Sequence, residues 1–170
     1  MTNKLKKGKS KRSEIERKFL VKNNTWQKGA KGIDFQQGYL STDSPRTVRV
    51  RLEGRFGKLT IKGKKKGIAG DEFEYDIPID DAKYLLKNLC KQPTIQKKRY
   101  KILFKGLVWE VDVFYGQNKG LVIAEVELES IEQKFNMPKW IGKEVTQDRR
   151  FRNANLVMHP YPKWKHEIKS

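Results

Sequence analysis

Cysteine and histidine are nearly missing from this chain: its 170 residues include one cysteine, Cys90, and two histidines, His159 and His166. A single thiol excludes an intramolecular disulfide and any multi-cysteine zinc or iron–sulfur site. Two histidines near the C-terminus supply neither a His-rich zinc site nor a histidine-centred triad, and both read as exposed tail residues. Long apolar runs are missing too. No stretch approaches the roughly 18 residues of a membrane-spanning helix, and the basic N-terminus is not followed by the apolar core of a signal peptide. The expectation is a soluble cytoplasmic protein without a membrane partner. Acidic residues are scarce beside basic ones: 20 Asp and Glu face 38 Lys and Arg, a net charge of +18. That excess favours a polyanionic partner such as polyphosphate, a nucleotide or nucleic acid.

The hydrophobic fraction is low at 36% and the charged fraction high at 34%. Even so, 11% aromatics and recurring Val, Ile and Leu positions argue for a packed core, and the length suits one domain. Residues 1–12, with Lys4, Lys6, Lys7, Lys9, Lys11 and Arg12, are expected to form a disordered basic arm, read either as an RNA-binding segment or as a solvated tail, with nucleic acid not the favoured partner. Residues 13–158 make the folded domain and 159–170 a basic tail. Oligomeric state has no signature in the sequence.

Period-2 alternation dominates the folded part. From Ser13 to Val21 it puts Glu14, Glu16 and Lys18 on one strand face. Two carboxylates about 7 Å apart along a strand, with an ammonium next in line, can share a divalent cation while the lysine meets the anion that cation brings. Phe35 to Ser41 reads as a second strand, closed by the turn Thr42-Asp43-Ser44-Pro45. Arg46 to Leu52 then sets Arg49 and Arg51 opposite Val48, Val50 and Leu52, and Phe56 to Lys62 brings Lys62 onto a basic face. Asp71 to Ile77 alternates Glu72, Glu74 and Asp76 against Phe73, Tyr75 and Ile77. Asp80 is placed to cap a helix whose apolar residues Ala82, Leu85, Leu86, Leu89 and Cys90 follow the 3.6-residue period, until Pro93 stops it. Three further strands follow: Ile95 to Phe104 with Lys97 and Arg99, Leu107 to Tyr115 with Glu110 and Asp112, and Leu121 to Glu129 with Glu125, Glu127 and Glu129. Beyond Ile131 the pattern suggests short helices laid on the surface of a barrel.

Ordinary half-wet sheets also alternate, but here charge is sorted strand by strand, acids on some and bases on others. If those faces turn inward, the result is an α+β fold. Its core is an eight-stranded, mainly antiparallel closed β-barrel with a charged, water-filled interior and helices packed outside. A barrel of that size holds one small ligand.

In this order and spacing, the motifs resemble the CYTH domain, the triphosphate tunnel metalloenzyme superfamily. They are Glu14-Ile15-Glu16-Arg17-Lys18, Gln37-Gly38-Tyr39-Leu40, Arg49-Val50-Arg51, Thr60-Ile61-Lys62, Glu72-Phe73-Glu74, Lys97-Lys98-Arg99-Tyr100, Trp109-Glu110-Val111-Asp112 and Glu125-Val126-Glu127-Leu128-Glu129. Trp140-Ile141-Gly142-Lys143-Glu144-Val145-Thr146 and Asp148 are similar to the C-terminal signature of the bacterial, inorganic triphosphatase-like branch. The resemblance implies a tunnel that binds a linear triphosphate with Mg²⁺ or Mn²⁺ and, in many members, hydrolyses it. On that footing Lys18, Arg49, Arg51, Lys62, Lys97 and Arg99 would hold phosphate oxygens. Glu14, Glu16, Glu125 and Glu127 would hold metal, and Lys18, Lys97 and Glu16 are candidates for the catalytic group. Tyr39, Glu72, Glu74, Glu110, Asp112 and Glu129 are additional candidates. The leading expectation is hydrolysis of inorganic triphosphate to pyrophosphate and phosphate. A class IV type adenylate cyclase is the rival enzyme and a non-catalytic polyphosphate or RNA binder the rival of another class.

Overall fold

The computed structural model describes residues 14–42, 46–63 and 69–168, with the side chains of Glu14, Ala69 and Gly70 left out. The basic arm, the expected turn at residues 43–45 and the Glu14 side chain therefore lie outside the described residues. Ten strands follow in chain order: β1 (Glu14–Val21), β2 (Gly32–Ser41), β3 (Thr47–Glu53), β4 (Phe56–Lys62), β5 (Ala69–Gly70), β6 (Glu72–Ile77), β7 (Ile95–Phe104), β8 (Leu107–Phe114), β9 (Val122–Leu128) and β10 (Ile141–Glu144). Two α-helices accompany them, α1 (Ile79–Asn88) and α2 (Asn153–Met158). Every described strand pairing is antiparallel.

The expected closed eight-stranded barrel needs correction. Nine strands run in the order β10-β1-β9-β8-β7-β2-β3-β4-β6, and the sheet does not close through its end strands. β5, one residue ahead of β6, pairs with β1 at Glu14↔Gly70 and Ile15↔Ala69. β10 takes the rest of that edge, with Phe19 opposite Glu144. Both strands are too short for an alternation pattern to reveal them.

Registry carries the charged residues to one face. Glu16 faces Glu127 and Lys18 faces Glu125 across β1–β9; Arg99 faces Asp112 across β7–β8; Lys62 faces Glu72 across β4–β6. A slip of one residue in any of these ladders would turn the charged set out and the apolar set in.

Three apolar clusters cover the sheet. Outside β1, β8 and β9, Trp109 packs against Phe19, Phe135 and Trp140 at ring separations of 5.6, 5.9 and 5.8 Å. Outside β2–β4, α1 buries Ala82 and Leu86 against Val50, together with Cys90 just beyond its end. The approach is close enough that glycine is required beneath it: a Cβ on Gly38 would lie 2.8 Å from the Cys90 Cβ, and one on Gly57 2.9 Å from the Ala82 Cβ. Burial pushes the Cys90 thiol up to about 11, as suits a core residue. Asp80 is not the helix cap; α1 starts at Ile79 behind Pro78, which places Asp80 and Asp81 in the first turn, where carboxylates favour the helix dipole.

The third cluster departs from the expectation that helices lie outside. Tyr39, Ile95, Phe114 and Ile123 share the strand face of the interior charges, and they pack with Phe151, Leu156, Val157 and Trp164. The C-terminal segment therefore plugs one end of the interior. Residues expected as a basic tail contribute to it, since Trp164 is buried and Tyr161 stacks edge-on against it at 5.3 Å. Among the described residues no helix is long and apolar enough to cross a membrane.

Candidate functional site

Strand alternation leads into a cavity of about 290 Å³. It is lined by five cations (Lys18, Arg49, Arg51, Lys62 and Arg99), six glutamates (Glu16, Glu72, Glu74, Glu110, Glu125 and Glu127) and Asn153. Most of the expected site residues are thus brought together. Lys97 and Asp112 share the inward face with Arg99 but are covered beneath the lining, 2% and 1% exposed in their side chains. Tyr39 belongs to the plug, where its hydroxyl accepts a hydrogen bond from Gln37 Nε2 at 3.1 Å. Glu129 follows the end of β9 and is exposed, so it does not join the site.

On the β1, β7, β8 and β9 side the charges form one connected network. Lys18 Nζ lies 2.9 Å from Glu16 Oε2 and also bonds Glu125. Arg99 donates to both oxygens of Asp112 at 2.6 Å and to Glu125 Oε2 at 2.8 Å, and bonds Glu110 as well. Lys97 Nζ reaches Asp112 Oδ2 at 2.5 Å. Burial works against the charge on Lys18, but Glu125 and Glu16 outweigh it and its pKa is raised; the ammonium stays protonated. Lys97 shows the opposite balance: burial, then the neighbouring Arg99, lower it to about 8 despite Asp112 and Glu125. Burial also opposes the charge on Glu125, yet Lys18 and Arg99 hold it well below the usual carboxylate range.

The β3, β4 and β6 side is less saturated. Arg49 Nη2 donates to Thr60 Oγ1 at 3.1 Å, and Thr60 Oγ1 and Arg51 Nη2 each donate to Glu74 Oε2 at 3.1 Å. The Nε atoms of both arginines are buried without a hydrogen-bond partner. Burial, followed by the adjacent Arg49, lowers the pKa of Arg51. Each guanidinium thus keeps one buried donor spare for a further acceptor, although Glu72 and Glu74 lie 3.7 and 3.6 Å from Arg49 and Glu74 and Glu53 3.1 and 3.5 Å from Arg51. Phe35 underlies this region, its ring centre 5.3 Å from the Arg51 guanidinium carbon, 5.4 Å from that of Arg99 and 6.0 Å from Lys97 Nζ.

β1 is braced from outside. Thr146 Oγ1 accepts from the Lys18 backbone N–H at 3.0 Å and donates to Glu144 Oε1 at 2.6 Å, while Glu144 pairs with Arg17. Val145 N–H donates to the Lys18 carbonyl at 2.8 Å. The signature segment after Trp140 thus fixes the strand that presents Lys18. Thr146→Val should leave the Lys18 amide unsatisfied and cost about 1–2 kcal/mol, with Thr146→Ser restoring most of it. Urea unfolding of the two variants measures this. Asp148 serves the plug instead: it caps a turn by accepting from the Arg150 N–H at 3.0 Å, and Arg150 lies 4.9 Å over the Trp164 ring.

No group of three or more acidic, histidine or cysteine side chains forms a ready metal cage among the described residues. The donor set nevertheless suits a hard cation. Mg²⁺ is commonly held by one or two carboxylates together with phosphate oxygens and water, and Glu16, Glu125 and Glu127 line the cavity. Glutamates also outnumber cations in the lining by one, so a polyphosphate requires accompanying positive charge to enter.

Residues 12–156 match the family model described as CYTH domain. The chain is 48% identical over 152 residues to an inorganic triphosphatase of Acetivibrio thermocellus, covering 89% of this chain and 97% of that protein. It is 34% identical over 151 residues to an inorganic triphosphatase of Nitrosomonas europaea, covering 86% and 97%. A solved structure of an inorganic triphosphatase superposes with a TM-score of 0.63 at 33% identity, over 85% of this chain and 94% of the other. A protein from Pyrococcus furiosus shares the fold at a TM-score of 0.55 and 21% identity, over 70% and 80%.

Proposed function

This chain belongs to the CYTH domain family, and on that premise we propose that it hydrolyses inorganic triphosphate to pyrophosphate and phosphate with a divalent cation, Mg²⁺ or Mn²⁺. One observation carries the reading. The interior cavity holds buried arginine donors, Arg49 Nε and Arg51 Nε, that have no protein acceptor, beside glutamates able to take a hard cation.

Arg49, Arg51, Lys62 and Lys18 bind and orient the phosphate chain, and Arg99 adds charge near the β7 wall. Glu16, Glu125 and Glu127 would hold the cation. That cation screens phosphate charge and orients the attacking water when bound. Water adds to the terminal phosphorus as the bridging P–O bond breaks, releasing phosphate and pyrophosphate. Lys18, kept protonated by its two glutamates, serves as a fixed positive charge rather than a base. Glu16, which lines the cavity, is the candidate acceptor of the water proton in this reading, and Lys97 holds Asp112 and through it Arg99.

Purified protein incubated with inorganic triphosphate, ATP or thiamine triphosphate, with Mg²⁺, Mn²⁺ or chelator, provides the test. Phosphate and pyrophosphate from inorganic triphosphate are expected, with turnover lost in chelator. Full activity in chelator would remove the metal-dependent reading, and a cyclic nucleotide as the main product from ATP would replace hydrolysis by cyclisation.

A further inference from the structure

β6 ends the row of paired strands, and its edge away from β4 has no partner among the described residues. Along six residues that edge presents backbone donors and acceptors that a further strand can take up. The outward face beside it is apolar. Phe73 lies opposite Ile61 and Tyr75 opposite Leu59 across β4–β6, with Phe73 38% and Tyr75 48% exposed. Residues 71–77 hold four acids, Asp71, Glu72, Glu74 and Asp76, and no base.

The start of β1 is aimed at this edge. Glu14 pairs with Gly70 and Ile15 with Ala69, antiparallel, and Gly70 stands two residues before Glu72. Carried back in the same register, the chain ahead of Glu14 runs along β6, with Arg12 opposite Glu72, Ser10 opposite Glu74 and Gly8 opposite Asp76. Lys11, Lys9 and Lys7 then fall opposite Phe73, Tyr75 and Ile77, on the outward parity. The thirteen residues before Glu14 are more than the edge requires, and they carry six bases and no acid. Opposite charges meet across such a ladder at Arg12 and Glu72, while lysine stems lie over the exposed rings and keep their ammonium groups in water. A second copy of the chain fits worse, since β6 against β6 sets four acids against four.

We propose that residues 7–12 add to the free edge of β6 as a further antiparallel strand, in the register begun at Glu14↔Gly70. The basic arm is then occupied by the protein's own acidic edge strand, which it shields from pairing with other chains.

Two measurements test this. Hydrogen exchange at the amides of residues 72–77 should become at least about tenfold faster when residues 2–12 are deleted, with exchange in β8 unchanged. In the full-length chain, Lys9→Cys combined with Tyr75→Cys should form an intrachain disulfide under mild oxidation, whereas Thr2→Cys combined with Tyr75→Cys should not, because the register carries position 2 past the end of β6. None of these positions lines the charged cavity, and the cysteine pairs decide the matter if the shortened chain fails to fold. Unchanged exchange in residues 72–77, or equal crosslinking by the two cysteine pairs, overturns the proposal. A disulfide that joins two chains overturns it in favour of a second copy on the β6 edge.

Discussion

Arg99→Ala is expected to lose about 3–5 kcal/mol of stability, a large part of the 5–15 kcal/mol that holds a typical domain together. The reason is what remains behind. Arg99 bonds Asp112, Glu125 and Glu110 together, and its removal leaves the buried Asp112 and Glu125 with only Lys97 and Lys18 to compensate them, while Glu110 keeps Lys101 at 3.4 Å. In the wild type burial opposes the charge on Asp112, but Arg99 and Lys97 prevail and its pKa is lowered, as is that of Glu125. Carboxyls held below their unfolded value contribute stability at neutral pH that is lost as pH falls through the folded value. Without Arg99, burial becomes the dominant influence, and their pKa values should move up. The variant is then weakest near neutral pH and regains ground as acid neutralises the stranded groups. The difference in unfolding free energy from wild type should therefore shrink between pH 7 and pH 4, measured by urea unfolding at a series of pH values. Arg99→Lys should be intermediate, since one ammonium cannot reproduce two parallel bonds to Asp112. A pH-independent loss would contradict the stranded-carboxylate account.

The strands that shape the cavity were legible because their charge and apolar bulk alternate strictly. Ile95–Phe104 has the bounds that its pattern predicts, and the inward set Lys97, Arg99 and Lys101 follows from the same period. Depth was not legible: alternation puts Lys97 and Arg99 on one face, but the plug that buries Lys97 comes from residues beyond Val145. Glu129 was carried into the site by continuing the period past the point where β9 ends. Thr60 and Phe35 could have been found by extending each strand's inward parity through uncharged residues, Thr60 between Lys58 and Lys62, and Phe35 two before Gln37. Asn153 gave no such signal, because its position depends on how a distant segment folds back over the barrel end. Closure was misjudged for a related reason. β5 and β10 divide the outer edge of β1 between them, and neither is long enough to show a period.

Arg51→Ala should cut turnover of inorganic triphosphate by one to two powers of ten while barely changing the stability of the empty protein. The two effects separate because Arg51 has different roles in the two states. In the empty cavity it is buried beside Arg49, its Nε lacks a partner, and its pKa is lowered by burial and by that neighbouring charge. Its favourable contacts are Nη2 with Glu74 at 3.1 Å, a 3.5 Å approach to Glu53 and the face of Phe35. Removing it relieves desolvation and repulsion as it breaks those contacts, so the net change should stay near 1 kcal/mol or below. With a polyphosphate bound, the spare donors gain an acceptor, and a charge-assisted contact of this kind is worth about 1.5–3 kcal/mol. Arg51→Lys should recover little, because an ammonium supplies charge without the planar fork. A direct binding readout accompanies the kinetics: inorganic triphosphate with Mg²⁺ should raise the melting temperature of the wild type and raise that of Arg51→Ala much less. Equal ligand-induced shifts and equal kcat/KM in the two proteins would mean that the phosphate chain does not reach the β3 wall, and the phosphate-binding role assigned to Arg49 and Arg51 would have to be given up.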